Sequence, residues 1–235
     1  MSGQLQTYSL YMSGKRLDQA CGICADRRIY LGRIEKMTFI LKPDFLVVDN
    51  FYTDPKSVRD MALSCEYMPT KHDNTFVFGS APWPGKVSKE SYSPKNLDLE
   101  ISKLLNKQIR QLANQNSGRF RISNKDDSTT NLVHIDGSDY AGVLYLNENC
   151  NNIPGTIFYT HKKSKLEYGT KDVFQDLIFN NDVNDISKWD IDLISHIVFN
   201  RLIIYPANKF HGIGPLFGND NTDSRLVQLF FWQIL

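Results

Sequence analysis

Short apolar runs separated by turn-forming residues dominate the second half of the chain. They cover residues 142–147, 154–159, 201–206 and 224–232. Runs of this length, bounded by polar or Gly/Pro-containing segments, are typical of β-strands rather than helices. Two further runs, 39–41 and 45–49, predict strands nearer the start of the sequence. The pattern therefore predicts a mainly β protein with a few flanking helices, in the α+β class.

Helical spacing is clearest in the first half of the chain. Asp54-Pro55 is a helix-start signal, with Asp as the N-cap and Pro at the first helical position. The apolar residues that follow predict a helix that runs to about residue 67. A second apolar stripe predicts a helix over 96–114. We expect both helices to pack against one face of the predicted sheet.

Two long segments interrupt this pattern. Residues 68–95 contain four prolines and several aromatic residues, and residues 160–198 predict a partly helical insertion. The aromatic residues of the first segment are Phe76, Phe78, Trp83 and Tyr92. Long loops in a compact domain often carry function, so both segments are expected to flank the mouth of a site. The alternative is that they are loops pinned to the core or surface excursions.

Composition limits the function classes. The chain has 235 residues, 41% of them hydrophobic, and a net charge of +1 without a dense basic run. These values predict one domain over 1–235 and give no signal for nucleic acid or a membrane. Within it, 1–119 would supply strands and two supporting helices, and 120–235 the functional core with the insertion at 160–198. The four cysteines do not predict a disulfide framework, and the pair Cys21 and Cys24 is interpreted as incidental. No signal-peptide pattern or membrane-spanning apolar run is seen, so a soluble cytoplasmic protein is expected.

The candidate chemistry lies in His134-Ile135-Asp136 and the later His211. In a strand, residues i and i+2 point to the same face, so a strand over 132–136 would aim an imidazole and a carboxylate at one point. A second imidazole from a distant strand would complete a two-histidine, one-carboxylate ligand set. That set leaves positions open on iron(II). His211 is preferred over His72, His161 and His196 because an apolar strand precedes it and a basic residue follows on the last strand.

These motifs, in this order, resemble the prolyl-4-hydroxylase-like branch of the iron(II)/2-oxoglutarate-dependent dioxygenases. The stretches GVLYLNENCNNIPGTIFY and RLIIYPANKFHGI carry the resemblance, which covers about 120–235. It implies a double-stranded β-helix, a cupin-like jelly roll, with His134, Asp136 and His211 as iron ligands. Arg225 would anchor the far carboxylate of 2-oxoglutarate, with Thr156 and Tyr145 as further contacts. The last strand would then lie beside the strand that carries His211.

The resemblance also implies the reaction partners. Iron(II) and 2-oxoglutarate would be the cofactors, with ascorbate as a candidate reductant, and dioxygen and an unidentified peptide or small molecule would be the substrates. The family's Gly-Gly-Glu-Thr turn is here 153–156, Ile-Pro-Gly-Thr, and a polar loop at 124–130 replaces its Tyr-rich strand. Two alternatives stay open: a cupin-type metalloenzyme without 2-oxoglutarate, and a non-catalytic jelly-roll binding module. Arg225 separates the first alternative from the dioxygenase, and metal content separates the second.

Overall fold

The computed structural model describes residues 39–42, 45–69, 83–113, 116–127, 133–150 and 152–235. The predictions for Cys21, Cys24, His72, Phe76 and Phe78 lie outside these ranges. Within them the strands are β1 (Phe39–Lys42), β2 (Phe45–Val48), β3 (Tyr67–Pro69), β4 (Lys86–Ser88), β5 (Ile109–Gln111), β6 (Phe120–Ser123), β7 (Tyr140–Tyr145), β8 (Pro154–His161), β9 (Trp189–His196), β10 (Arg201–Pro206), β11 (His211–Ile213) and β12 (Arg225–Ile234). The helices are α1 (Pro55–Ser64), α2 (Leu97–Leu105) and α3 (Lys171–Phe179). The prediction of a mainly β protein with few helices is confirmed.

The strands form two antiparallel sheets. The large sheet has the order β1-β2-β10-β7-β12-β6-β4-β3, and β5 pairs with the far end of β12. The small sheet has the order β11-β8-β9. Every predicted strand after residue 140 is therefore present, and the longest, β12, lies in the middle of the large sheet.

Side-chain alternation divides the core into layers. Odd-numbered residues of β7, β10 and β12 join Phe158 of the small sheet in an inter-sheet core. Its members from the large sheet include Val143, Tyr145, Ile203, Tyr205, Val227 and Leu229. Even-numbered residues of the same strands form an outer core with α1 and α2. Because the side-chain period of a strand is two, Arg225 at the start of β12 faces the inter-sheet core.

The two predicted helices pack on this outer face, as expected. α1 begins at the predicted cap, where Asp54 accepts a hydrogen bond from the Ser57 backbone N–H at 3.1 Å. The second helix is shorter than predicted, because it ends at Leu105 and the backbone turns left-handed at Asn106. Residues 109–111, expected to be helical, instead pair with the end of β12. Pairing with an otherwise open strand overrides the weak local helical preference there.

The predicted insertion over 160–198 is also corrected at both ends. β8 continues to His161, and residues 189–196 form the strand β9, which pairs with β8 along its whole length. Only the part between these strands is helical, and α3 packs there against a third core on the outer side of the small sheet. Tyr92 is likewise a core residue, stacked on Phe120, and does not line a mouth. Among the described residues, no helix is long and apolar enough to cross a membrane.

Candidate metal centre

The segment that carries His134 and Asp136 is extended but is not a regular strand. His134 and His211 exchange two backbone hydrogen bonds, at 2.8 and 3.0 Å, in a single isolated bridge. The Asp136 N–H then donates to the Ala207 carbonyl at 2.8 Å. The prediction of a regular strand over 132–136 is thus wrong. The backbone hydrogen bonds of this segment go to two different segments, at His211 and Ala207, and not to one continuous strand. The i and i+2 side chains nevertheless share a side, as predicted.

The three predicted ligands converge. One potential ligand atom from each of His134, Asp136 and His211 lies within 4.8 Å of the others. The two imidazole centroids are 4.2 Å apart, and His211 Nε2 lies 3.2 Å from Asp136 Oδ2. Val133, which precedes His134, and Ile135, which lies between His134 and Asp136, point the other way into the third core. The three residues could hold a metal ion.

Hydrogen bonding shows that a cation suits this site. His211 Nδ1 lies 2.8 Å from the Lys209 carbonyl oxygen, which can only accept, so Nδ1 carries a proton. The Nε2 lone pair of a neutral His211 then faces the Asp136 carboxylate. Such a pair repels unless a second proton or a metal ion lies between the two atoms. Two ligands at right angles, each about 2.1 Å from an ion, would be about 3 Å apart, close to the 3.2 Å seen here.

The environment of Asp136 favours its ionised form, although the side chain is largely removed from water. Burial alone would raise the pKa of this carboxyl group, but the positive charge that His211 and then His134 carry when protonated, together with that of Arg121, favours the charged form. The net pKa of Asp136 is therefore lower than usual. A carboxylate in this state is the form that binds a metal ion.

The predicted cosubstrate residues lie together on the inter-sheet side. Arg225 is 3% exposed, and its Nη2 donates to the Gly155 carbonyl at 3.2 Å. Its Nε has no hydrogen-bond partner. The neighbouring Tyr145 hydroxyl donates to Thr156 Oγ1 at 2.8 Å. Burial lowers the pKa of Arg225, and Tyr145 and Tyr205 oppose this shift. Among the described residues, Arg225 forms no ion pair with a carboxylate.

The strand neighbours of Arg225 differ from the prediction. β12 does not lie beside the strand that carries His211, because β11 belongs to the small sheet and β12 to the large one. Arg225 and His211 instead approach the same interior from opposite sheets. The sequence shows which faces are buried but not which strands pair, so this error is a matter of topology.

The other described histidines are not part of this cluster. His161 Nε2 lies 3.3 Å from Asp182, and its Nδ1 is hydrogen-bonded to Ser164. His196 is exposed at the end of β9. In the part of the chain that the structure describes, only the predicted trio forms a group of three metal-ligating side chains.

Three residues of the site were missed or only partly anticipated. Arg121 on β6 is 8% exposed and lies 5.7 Å from the Trp83 ring centroid. Trp83 in turn meets the His134 ring edge-on, with centroids 4.4 Å apart. The Tyr205 ring meets the His211 ring edge-on, with centroids 4.8 Å apart. The signal for Arg121 was available, since it is a charged residue between the apolar Phe120 and Ile122 of a short strand.

Comparisons with known proteins give limited guidance. No family model and no curated protein matches the sequence. The similar solved structures are of iron(II)/2-oxoglutarate oxygenase-family proteins. IDO from Bacillus thuringiensis is 13% identical with a TM-score of 0.41, over 82% of this chain and 93% of that one. A 2OG-Fe(II) oxygenase family oxidoreductase from Burkholderia pseudomallei is 12% identical with a TM-score of 0.41, over 82% and 86%.

An N-substituted L-amino acid dioxygenase from Burkholderia ambifaria AMMD, in complex with alpha-KG, is 9% identical with a TM-score of 0.40, over 82% and 86%. Identities and TM-scores this low do not assign an activity. The function has to be inferred from the site itself.

Proposed function

We propose that this protein is an iron(II)- and 2-oxoglutarate-dependent dioxygenase, a hydroxylase. Its fold would be a double-stranded β-helix, or jelly roll, that forms one domain over 1–235. Within the dioxygenases it would belong to the prolyl-4-hydroxylase-like branch. One observation carries the proposal. Tyr205 connects the trio to Arg225, because its ring centroid lies 4.8 Å from that of His211 and its side chain also interacts electrostatically with Arg225. Arg225 is a buried guanidinium that forms no ion pair with a described carboxylate.

The ligand set supports iron(II) as the ion. Two neutral imidazoles and one carboxylate would hold the ion on one side and leave positions open for other ligands, which is the arrangement that non-haem iron(II) oxygenases use. The His211 orientation fits this role, because its Nδ1–H donates to the Lys209 carbonyl and leaves Nε2 for a metal. Asp136 would neutralise one of the two positive charges of the ion.

Arg225 supports 2-oxoglutarate as the cosubstrate. A guanidinium fork matches a carboxylate in bidentate geometry, and a buried anion would complete the hydrogen bonding that Nε lacks. Thr156 and Tyr145 lie in the same place and would contribute hydroxyl groups to the same carboxylate. The alternative cations are less suitable, because Arg201 is paired with Asp49 and Lys209 with Glu167.

When bound, iron(II) and 2-oxoglutarate supply an oxidative decarboxylation: dioxygen gives one oxygen atom to succinate and the other to a substrate C–H bond, with release of carbon dioxide. The protein itself would position the reactants and exclude water from the site. Phe158, Tyr205 and Trp83 close around the histidine rings and restrict water. The hydrogen bond from His211 Nδ1 to the Lys209 carbonyl would fix the orientation of this imidazole before the substrate binds.

The test separates metal, cosubstrate and turnover. Purified protein should bind one iron(II), and calorimetry with nickel(II) in place of iron should show 2-oxoglutarate binding. Succinate release with iron(II), 2-oxoglutarate and ascorbate should follow. Asp136→Ala should lose the metal, whereas His196→Ala, a change of an exposed histidine, should keep it. Metal binding without 2-oxoglutarate binding would favour a cupin-type metalloenzyme, and no metal binding would favour a binding module.

A further inference from the structure

We propose that Arg121 and Trp83 form a second anion subsite beside the metal centre, which binds a carboxylate of the primary substrate. The substrate would then be a carboxylic acid, either a free amino acid or the C-terminus of a peptide, and not an internal peptide residue. This inference rests on the proposed function and names the substrate class of the same site.

The position of Arg121 in the sheet places it in the interior. It lies on β6, directly opposite Val227 of β12, an inter-sheet core residue. Its neighbours Phe120 and Ile122 point to the outer core on the other face. Arg225 pairs with Ser123, two residues along, so the two arginines are diagonal neighbours. Such neighbours have Cα atoms about 7–8 Å apart.

Arg121 is buried and makes no ion pair with a described residue. It is 8% exposed, its Nε has no hydrogen-bond partner, and no ion pair of its guanidinium is found within the described ranges. Burial, and then Arg225, lower the pKa of Arg121 to about 10, against the opposing effects of Asp136 and Tyr205. A buried cation in this condition is destabilising unless an anion joins it.

Other cations that are partly or wholly removed from water have partners. Arg201 makes two hydrogen bonds to Asp49, and the Lys209 ammonium lies 2.8 and 3.1 Å from carboxylates of Glu167 and Asp192. The protein thus pairs its buried charges elsewhere. Among the described residues, Arg121 and Arg225 are buried without an ion pair, and both face the same interior as the proposed metal ligands.

The charges of the occupied site would call for another anion. Two arginines and a divalent ion face Asp136 and the two carboxylates of 2-oxoglutarate, which leaves one positive charge in a water-poor interior. A single substrate carboxylate would neutralise it, provided that the ammonium group of a free amino acid is directed out of this interior. A neutral internal peptide residue would leave the imbalance in place.

Arg121 is on the wrong side of β12 to be a second anchor for the far carboxylate of 2-oxoglutarate. Arg225 contacts Gly155, beside Tyr145 and Thr156, toward β7 and β8. Arg121 is one strand further away, on β6, with Trp83 next to its guanidinium.

The Trp83 indole joins this subsite to the metal centre. It contacts Arg121 on one side and meets the His134 ring edge-on. It would offer an apolar wall to the carbon atoms next to the bound carboxylate. A substrate held here would lie within reach of the open side of the metal site.

The experiment compares acids with their amides on the nickel(II)-loaded protein, with and without 2-oxoglutarate. Saturation-transfer NMR would screen L-leucine, L-phenylalanine, L-proline and the other common L-amino acids beside their carboxamides. Tripeptides with free or amidated C-termini would form a second arm, which distinguishes a free acid from a chain terminus. We expect at least one acid to bind and its amide to bind roughly ten- to a hundredfold more weakly. Equal binding of acids and amides, or no binding by any acid, would overturn the inference.

Variants separate the subsite from the anchor and from a structural role. Arg121→Gln should abolish the preference for acids yet leave 2-oxoglutarate affinity within about threefold, whereas Arg225→Gln should do the reverse. Arg121→Lys should restore part of the preference, and Arg110→Gln, a change of an exposed arginine, should change neither. The melting temperature of metal-free Arg121→Gln should be unchanged or higher, because an uncompensated buried charge is removed.

Three results would contradict the inference or locate the failure elsewhere. A large fall in melting temperature would assign Arg121 a structural role. An equal loss of 2-oxoglutarate binding in Arg121→Gln and Arg225→Gln would make both arginines one cosubstrate anchor. Wild-type protein that binds nickel but no 2-oxoglutarate would refute the proposed function, and the acid–amide comparison without 2-oxoglutarate would still decide the fate of the subsite.

Discussion

Replacing Arg225 by Ala tests the cosubstrate assignment most directly. The guanidinium is 3% exposed and makes one hydrogen bond of 3.2 Å, to the Gly155 carbonyl, so most of its hydrogen-bonding capacity is available to a ligand. A hydrogen bond to a charged group contributes about 1.5–3 kcal/mol. Loss of the anchor should therefore raise the dissociation constant of 2-oxoglutarate roughly ten- to a hundredfold. Calorimetry on the nickel(II)-loaded protein measures this constant without turnover.

Metal affinity provides the internal control. Arg225 is on the opposite sheet from His211, so Arg225→Ala should leave iron binding nearly unchanged. Arg225→Lys should recover part of the affinity, since the charge remains while the planar fork does not. Arg201→Ala is the matched control, because that guanidinium is occupied by Asp49. If Arg225→Ala binds 2-oxoglutarate as tightly as the parent, the anchor reasoning fails.

Three smaller predictions follow from single contacts. Tyr145→Phe removes the hydroxyl that donates to Thr156; it should weaken 2-oxoglutarate about three- to tenfold, and unchanged calorimetric affinity would exclude a role. Gly155→Ala would place a Cβ 2.6 Å from the Tyr145 ring; it should destabilise the protein by about 1–3 kcal/mol in urea titrations and weaken 2-oxoglutarate as well. Asp54→Ala removes the α1 cap and should cost about 0.5–2 kcal/mol at neutral pH. Because hydrogen bonds from Ser57 lower the pKa of Asp54, that difference should persist above its usual pKa and vanish as pH falls through the lowered one; a pH-independent difference would contradict this.

The three residues that could hold a metal ion were accessible from the sequence because their geometry is local. The spacing of His134 and Asp136 needs only an extended backbone, and this is present even without a strand ladder. His211 could be chosen because the apolar run before it had to be a buried strand, which β10 confirms. The Asp54 cap of α1 is similarly a matter of three neighbouring residues.

What the sequence did not provide is information about pairing between distant segments. The local sequence of residues 109–111 predicts a helix, but in the structure they pair with β12 as a strand. Residues 189–196 were predicted to be part of an insertion, but they pair with β8. The same holds for the arginines of the site. Arg225 was chosen because the family that the sequence resembles has a basic residue at this position after the second histidine. Arg121 becomes a candidate only once β6 is seen to place it beside Arg225.

The two unpaired arginines explain why the site is built between sheets that are otherwise apolar. The inter-sheet core is formed by aliphatic and aromatic side chains, and it surrounds Arg121 and Arg225 with little water. A charge in such surroundings destabilises the ligand-free protein, so each arginine should lower stability until an anion arrives. Anion binding would then appear as increased thermal stability, since a ligand that binds only the folded state shifts unfolding by mass action. Under the proposed function, both arginines would be held in this unfavourable state for a ligand, and a rise in melting temperature on addition of a carboxylate would be the expected sign.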